Sequence, residues 1–250
     1  MLGQAYVEYA LAGGEYVLPL LIPVLCMRSM AEDRRNKTDM FYLSLPIKTS
    51  AVVLGKYFAL LTVFALPCAL IATYPVLLGM YGDVNFGGAY ATILTFFLLG
   101  AALIAVCQFL SSLTDNLVVA AVLGVLGSLL LFALPVLGYI LPTSAIVSFV
   151  GLLILFALGS AGIYYATRSS LASLAAAALL IVPASLLYIL ASEIFEGLLP
   201  SLLTLAGPFS HFENVANLSI FSIPSLVLLL SYVVFFVFLT VRSADKKRWA

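Results

Sequence analysis

Few residues in this sequence could carry out acid–base, nucleophilic or metal chemistry. The single histidine, His211, precedes Glu213 by two positions, and the three cysteines, Cys26, Cys68 and Cys107, each lie in an apolar stretch. Two potential ligands on one extended external loop are a weak signal for a metal site, which needs more ligands. No cysteine has a histidine or a second cysteine at ligand spacing. We therefore expect no catalytic residue, no metal site and no disulfide.

Ionisable groups are also scarce within the apolar stretches. Between residues 57 and 241 every charged residue maps to the end of an apolar run or to a connection. Ion-coupled transporters usually carry ionisable groups in mid-membrane, so this pattern disfavours an ATP-independent secondary transporter. The G-x-x-x-x-G-K-[ST] phosphate loop is missing too, because Gly55 and Lys56 are followed by Tyr57. Any ATP that drives this protein must be hydrolysed by another chain.

The composition excludes a soluble globular protein. Of the 250 residues, 64% are hydrophobic and only 9% are charged, whereas an ordinary soluble domain has about 25% charged residues. A helix needs about 20 apolar residues to cross a bilayer. Six such spans fit the uncharged runs, with two spans in the third run: 57–82, 84–114, 116–167, 169–192 and 214–241. We predict an all-α polytopic membrane protein, with a break at residues 141–144, Leu-Pro-Thr-Ser.

A seventh span is predicted at 9–27, which brings the total to about seven. Its uncharged part, 16–27, is too short to cross a bilayer alone, so it must recruit residues 9–15 and place Glu15 near one membrane face. The alternative is a re-entrant or interfacial segment, because a carboxylate in the hydrocarbon costs about 3 kcal/mol.

The basic residues set the expected orientation. They fall in three groups, and alternation through the predicted spans places all of them on one side: 28–56, 168 and 242–248. The other connections contain no Lys or Arg, a pattern that predicts a cytoplasmic location for the basic side. The zero net charge is then the sum of +6 on the cytoplasmic side and −6 on the external side, and it indicates no nucleic-acid partner. The C-terminal tail, 242–250, is predicted to be cytoplasmic.

The longest polar stretch, 28–50, is predicted to be a cytoplasmic loop. It begins with a short helix, which Pro46 ends. Acidic and basic residues are interspersed in it, and the candidates for contact with a partner are Arg28, Glu32, Asp33, Arg34, Arg35 and Asp39. An anionic leaflet would repel the three acids. Mixed charges favour docking on a protein surface; the alternative is an interfacial helix held by lipid headgroups.

Short motifs follow one another along nearly the whole chain: PVLCMR at 23–28, AEDRR at 31–35, TD at 38–39, LPI at 45–47, VLGK at 53–56, SSLTDN at 111–116, HFEN at 211–214 and KKRW at 246–249. In this order they resemble the type-2 ABC exporter permeases, the transmembrane subunits of the ABC-2 family, in the gliding-motility-type branch. The motifs up to residue 56 are the most specific. Family members usually begin with a cytoplasmic tail and a further span ahead of the helix at 9–27, whereas this sequence starts almost on that helix.

The resemblance implies a single transmembrane permease domain over 1–250, in a bacterial plasma membrane, that forms the pathway of an ATP-driven exporter and is not itself an enzyme. It implies two copies of a separate ABC ATPase, which bind ATP and Mg²⁺, together with a second permease copy or a related permease. Residues 28–39 match the family's coupling helix, which seats in a groove on the ATPase.

The external segment 193–219, with His211 and Glu213, matches the family's external re-entrant or interfacial element; a plain amphipathic loop helix fits it equally well. The residues also leave open a second class of function, a non-transporting membrane scaffold or immunity protein that uses the loop 28–50 to hold a cytoplasmic partner.

Overall fold

The computed structural model describes residues 11, 13–38, 48–80, 84–167, 179, 181, 185, 188, 192–218 and 222–248. These residues form helices and no strands, which confirms the predicted all-α class. The elements are α1 (Leu18–Arg35), α2 (Thr49–Ile71), α3 (Tyr74–Gly79), α4 (Phe86–Ser111), α5 (Leu117–Ile140), α6 (Ala145–Thr167), a 3₁₀ turn (Ser192–Phe195), α7 (Leu198–Ala206), α8 (Pro208–Leu218) and α9 (Ile223–Arg248).

Four helical stretches in the described part of the chain are long and apolar enough to cross a bilayer: Thr49–Gly79, Phe86–Ser111, Leu117–Ile140 and Ile223–Asp245. They correspond to four of the predicted spans, and α6 fills the second half of the run 116–167. The break at 141–144 lies where the sequence predicts it, because a proline disfavours the helical conformation in the residue before it. The span predicted at 169–192 falls almost wholly outside the described residues.

The helix of the first predicted span extends further than expected. Residues 18–35 form one helix, so the short helix predicted after residue 28 is the C-terminal end of α1 and not a separate element. The helix ends at Arg35 and Asn36 follows as its C-cap, after which Lys37 adopts a positive φ of 55°. The Thr38 N–H then donates to the carbonyl of Asp33 at 2.9 Å, which closes the turn. Residues 39–47 lie outside the described part.

The last span begins later than predicted. Residues 214–218 belong to α8, and α9 begins at Ile223. Pro224 lies in the first turn of α9. Backbone N–H groups there have no intrahelical acceptor, so the proline costs the helix no hydrogen bond. The helix then continues through the predicted tail to Arg248.

The chain forms two compact units, Met1–Phe132 with Pro208–Ala250, and Ala133–Gly207. In the second unit, α6 packs against α7 and the 3₁₀ turn. The N–H of Gly197 donates to the Thr143 carbonyl at 2.8 Å, and α7 begins directly after Gly197.

In the first unit α4 is the central helix. In its most apolar window 72% of the residues are buried, against 17–22% for the other three spans, and it packs against α1, α2, α8 and α9. Small side chains allow this close packing, and those in the middle of α4 are Gly100, Ala101, Ala102 and Ala105. The outward faces of the other spans are apolar, as expected for surfaces that contact lipid tails.

We expect Gly100→Ala to lower the stability of the first unit. A Cβ at Gly100 would lie 2.1 Å from Cε1 of Phe64, and the Phe64 ring stacks on Phe97 with centroids 6.1 Å apart. Overpacking of this kind costs about 1–3 kcal/mol. Thermal unfolding in detergent can be followed with a thiol-reactive fluorophore, because all three cysteines, Cys26, Cys68 and Cys107, are buried.

Gly55→Ala is the matched control, since no described atom outside its own helix backbone lies within 4 Å of a Cβ at that position. It should leave the melting temperature unchanged or raise it slightly. The double variant Gly100→Ala/Phe64→Leu should recover part of the loss. Equal melting temperatures for Gly100→Ala and Gly55→Ala would contradict the packing of α2 on α4.

Candidate functional site

The residues predicted to contact a partner lie on the last two turns of α1. Arg28 and Arg35 are exposed and Glu32 is partly exposed. Their spacing of i, i+4 and i+7 places them on one side of the helix. We call these three residues the charged face of α1. Asp39 lies outside the described residues.

Two other predicted contact residues bond within the chain. Lys56, on α2, donates to the Asp33 carboxylate and to the backbone carbonyl of Ser29. Arg34 Nη1 lies 3.8 Å from Asp115 Oδ1, and the Arg34 side chain is only 8% exposed. Asp33 and Arg34 therefore tie the end of α1 to α2 and to the turn after α4.

That turn joins several helices at the same end of the first unit. Ser112 Oγ donates to Ser243 Oγ on α9 at 3.1 Å, and Asp115 pairs with Arg34. Asn116 Oδ1 accepts from the Val118 N–H at 2.9 Å and so caps the start of α5. The basic groups 28–56 and 242–248 thus lie on helix ends that meet here, as the charge pattern predicts. The remaining basic group, Arg168, lies outside the described residues.

Ser111, the last residue of α4, contacts the backbone of α1. Its Oγ accepts hydrogen bonds from the N–H groups of Ala31 at 3.2 Å and Met30 at 3.4 Å, and it donates to the carbonyl of Met27 at 3.3 Å. The side chain is completely buried. A single hydroxyl therefore joins the end of α4 to the last turns of α1.

No sequence signal indicates the partners of Asp33, Arg34 and α1 itself. Lys56 and Ser111 lie in the motifs VLGK and SSLTDN, but which side chains they meet is decided by the packing of α2 and α4. Helical spacing alone could have separated the charged face from the inward residues, because it places positions 28, 32 and 35 together and 33 and 34 apart from them.

The second candidate region is a helix, and the expectation of an extended polar loop at His211 and Glu213 is wrong. Pro208 occupies the first helical position of α8, where its fixed φ favours a helix. Phe209 and Phe212, three residues apart, then share the buried side of α8. Burial of this apolar side outweighs the polar composition of the segment.

His211 is also buried, with 7% of its surface exposed. Its Nδ1 lies 3.1 Å from Ser225 Oγ on α9, and Ser222 Oγ donates to Ser225 Oγ. The neighbouring Phe212 packs edge-on against Phe96 of α4 with ring centroids 5.7 Å apart. Among the described residues no three His, Cys, Asp or Glu side chains are grouped to hold a metal ion.

Glu213 lies near a second carboxylate, Glu15. Glu15 is 2% exposed, and its Oε2 has no hydrogen-bond partner among the described residues. The two negative charges are close enough to repel each other. Burial raises the pKa of the Glu213 carboxyl above its ordinary value near 4.5. The Glu213 carboxyl therefore holds a proton more readily than an exposed carboxylate does.

A family model described as an ABC-2 family transporter protein matches residues 8–134. The matched region contains α1 to α4 and most of α5, and with them the charged face, Lys56, Ser111 and Asp115. The chain belongs to the ABC-2 transporter family. No curated protein and no solved structure matches it.

As a member of the ABC-2 family the chain is an integral membrane protein and a transmembrane permease of an ABC transporter. ABC-2 permeases are normally non-catalytic subunits that work with an ATPase subunit. The resemblance found in the sequence is thus confirmed at the level of the ABC-2 family, and the gliding-motility-type branch stays a prediction.

We expect Glu213→Gln to stabilise this permease at neutral pH. Because burial raises the pKa of Glu213 in the folded state, folding favours its protonated form, and stability falls as the pH rises above the carboxyl's ordinary value near 4.5. Glutamine removes this loss, and it also removes the repulsion with Glu15. The melting temperature at pH 7.5 should rise by no more than a few degrees, since solvent screens the partly buried charge.

The gain should shrink as the pH is lowered to 4.5 and disappear below that value, where glutamate becomes protonated in both states. Glu196→Gln, at an exposed position, is the matched control and should leave the melting temperature unchanged. A gain for Glu213→Gln that does not depend on pH would contradict the electrostatic explanation.

Proposed function

We propose that this ABC-2 permease is the membrane subunit of an ATP-driven exporter and that it couples to a separate ATPase through the charged face of α1. The observation that carries the proposal is the division of the charged residues at the end of this helix. Arg28, Glu32 and Arg35 are open to a partner, while Asp33 and Arg34 hold the helix in place.

The charged face has the properties of a protein-docking surface. It carries charges of both signs, which give orientation and specificity to a protein contact. It stands at the end of a helix whose residues before Arg28 are apolar and continue into the first unit. A force applied to the charged face therefore reaches α2 through Lys56 and the α4–α5 turn through Asp115.

The assembly that we propose contains two copies of the ATPase and a second permease, either another copy of this chain or a related one. ATP and Mg²⁺ are held by the ATPase, and closure of the two ATPases moves the charged faces and opens the pathway by a rigid-body shift. The basic end, with the C-terminal tail 242–250, faces the cytoplasm of a bacterial cell, and 193–219 forms the external element. The branch of the family is the gliding-motility type.

Reversing two charges on the charged face should abolish ATPase binding. In the variant Glu32→Arg/Arg35→Glu the net charge is unchanged, but both contacts become repulsive. We expect at least a tenfold loss of complex, which corresponds to about 1.4 kcal/mol. The tagged permease is purified from its native membranes, and the P-loop ATPase that accompanies it is quantified by mass spectrometry.

The control reverses two exposed acids elsewhere in the chain, Glu193→Arg/Glu196→Arg, and should retain the ATPase. An unchanged yield of ATPase with the Glu32/Arg35 variant would overturn the proposed docking. If the ATPase binds but its turnover does not respond to the permease, the chain is a scaffold for the ATPase and not a coupled exporter.

A further inference from the structure

Two serines from neighbouring helices bond to the backbone of α1. The first compensates for Pro23, which lacks an N–H and leaves the Pro19 carbonyl without its helical donor. Ser128 Oγ, on α5, donates to that carbonyl at 2.6 Å. Gly124, one turn earlier on α5, allows the approach, since a Cβ there would lie 3.0 Å from the Cβ of Pro23. This contact fixes α1 within the apolar part of the first unit.

The second contact has a different geometry. The Met27 carbonyl and the Ala31 N–H are the acceptor and donor of one i→i−4 hydrogen bond of an α-helix. Ser111 Oγ bonds to both of them, at 3.3 Å and 3.2 Å. If the bond between Met27 and Ala31 opens, each group keeps a partner in the Ser111 hydroxyl. The usual cost of leaving buried backbone groups unpaired is therefore avoided at this one turn.

This turn lies at the boundary between the apolar part of α1 and its charged end. Residues 27–31 lie between the apolar turns of α1 and Asp33, which is tied to Lys56. Lys56 also contacts this segment itself, at the backbone carbonyl of Ser29. A side chain inserted into the i→i−4 ladder is a recognised cause of helix bending. The contact between Lys56 and Asp33 can follow a small bend here, because lysine reaches Asp33 through a flexible four-carbon side chain.

We propose that Ser111 makes residues 27–31 the bending point of α1, so that Glu32 and Arg35 of the charged face change their angle to the apolar part of the helix. Ser111 is a positioning residue: it contacts neither the ATPase nor the cargo. The bend is a property of the chain alone. Its consequence for transport rests on the proposed function, in which movement of the charged face is what ATP closure drives.

The bend can be measured on the purified permease in lipid without an ATPase. Spin labels are placed at Val24 and Asn36, which are both exposed and flank the bending point. They are about 18 Å apart along a straight helix with a rise of 1.5 Å per residue. We expect a broad distribution of distances in the parent protein. Ser111→Ala should remove the shorter distances of the bent population, and Ser111→Thr, which retains the hydroxyl, should restore them.

Ser112→Ala is the matched control. Ser112 is equally buried and adjacent, but its hydroxyl bonds to Ser243 of α9. It should keep the parent distribution. The same distribution in Ser111→Ala as in the parent, or an equal change in Ser112→Ala, would overturn the proposal. Melting temperatures separate a local change from general unfolding, and the native cysteines are buried and should take up little label.

The complex with the ATPase supplies the second readout. Ser111→Ala should retain ATPase binding, because it leaves the charged face intact, and lose most of the transport per ATP hydrolysed. Ser112→Ala should keep the parent ratio. Parent-like transport per ATP in Ser111→Ala would overturn the role of the bend in coupling. If the parent permease binds no ATPase, the proposed function fails, while the spin-label distances still decide whether Ser111 makes α1 bend.

Discussion

Lys56 donates to both the Asp33 carboxylate and the Ser29 carbonyl, and the arrangement of the basic end depends on this contact. A membrane helix that continues into a charged segment must pair every charge that it brings close to the hydrocarbon. Lys56 and Asp33 neutralise each other, and Arg34 does the same with Asp115. The inward charges of α1 are thereby satisfied within the chain, and the remaining ones are left on the outside.

This division explains why one helix can serve two purposes. The apolar turns of α1 pack against α4, the central helix of the first unit, and the last turns carry the charged face. Two serines at the end of α4 bond to neighbouring helices. Ser112 holds α9, and Ser111 holds the backbone of α1 at the boundary. A polar turn of six residues thus sets the position of three helices.

Much of the fold follows from the sequence because bilayer thickness and backbone hydrogen bonding leave few options. The spans at α2, α4 and α5 and the break at 141–144 are of this kind. The continuation of α1 past Arg28 could not be predicted from the charges, since a charged segment marks the edge of the membrane and not the end of a helix. For α8 a helix was only one of the alternatives, for a related reason. Its polar residues suggest a loop, but Phe209 and Phe212 are buried only if the segment is a helix.

The sequence predicts where the candidate site lies, but it does not predict which residue each of its side chains contacts. Mixed charges and the motifs locate it at 28–39, yet only packing assigns Asp33 to Lys56 and Arg34 to Asp115. Ser111 and His211 show the same limit, because a hydroxyl or an imidazole in a sequence says nothing about the neighbour that it will meet. The partner of Ser111 lies on a helix 80 residues away in the sequence, and the partner of His211 lies on the next helix, 14 residues away.

The central claim is that the open side of the α1 end contacts an ATPase, and site-specific photo-cross-linking tests it most directly. A photoreactive residue is introduced at Asn36, next to the charged face, or at Leu113 in the α4–α5 turn; both positions are exposed. We expect a covalent adduct with the ATPase from Asn36 that is much stronger than the adduct from Leu113. Adducts from Leu113 alone, or none from either position in a complex that remains intact, would contradict the account.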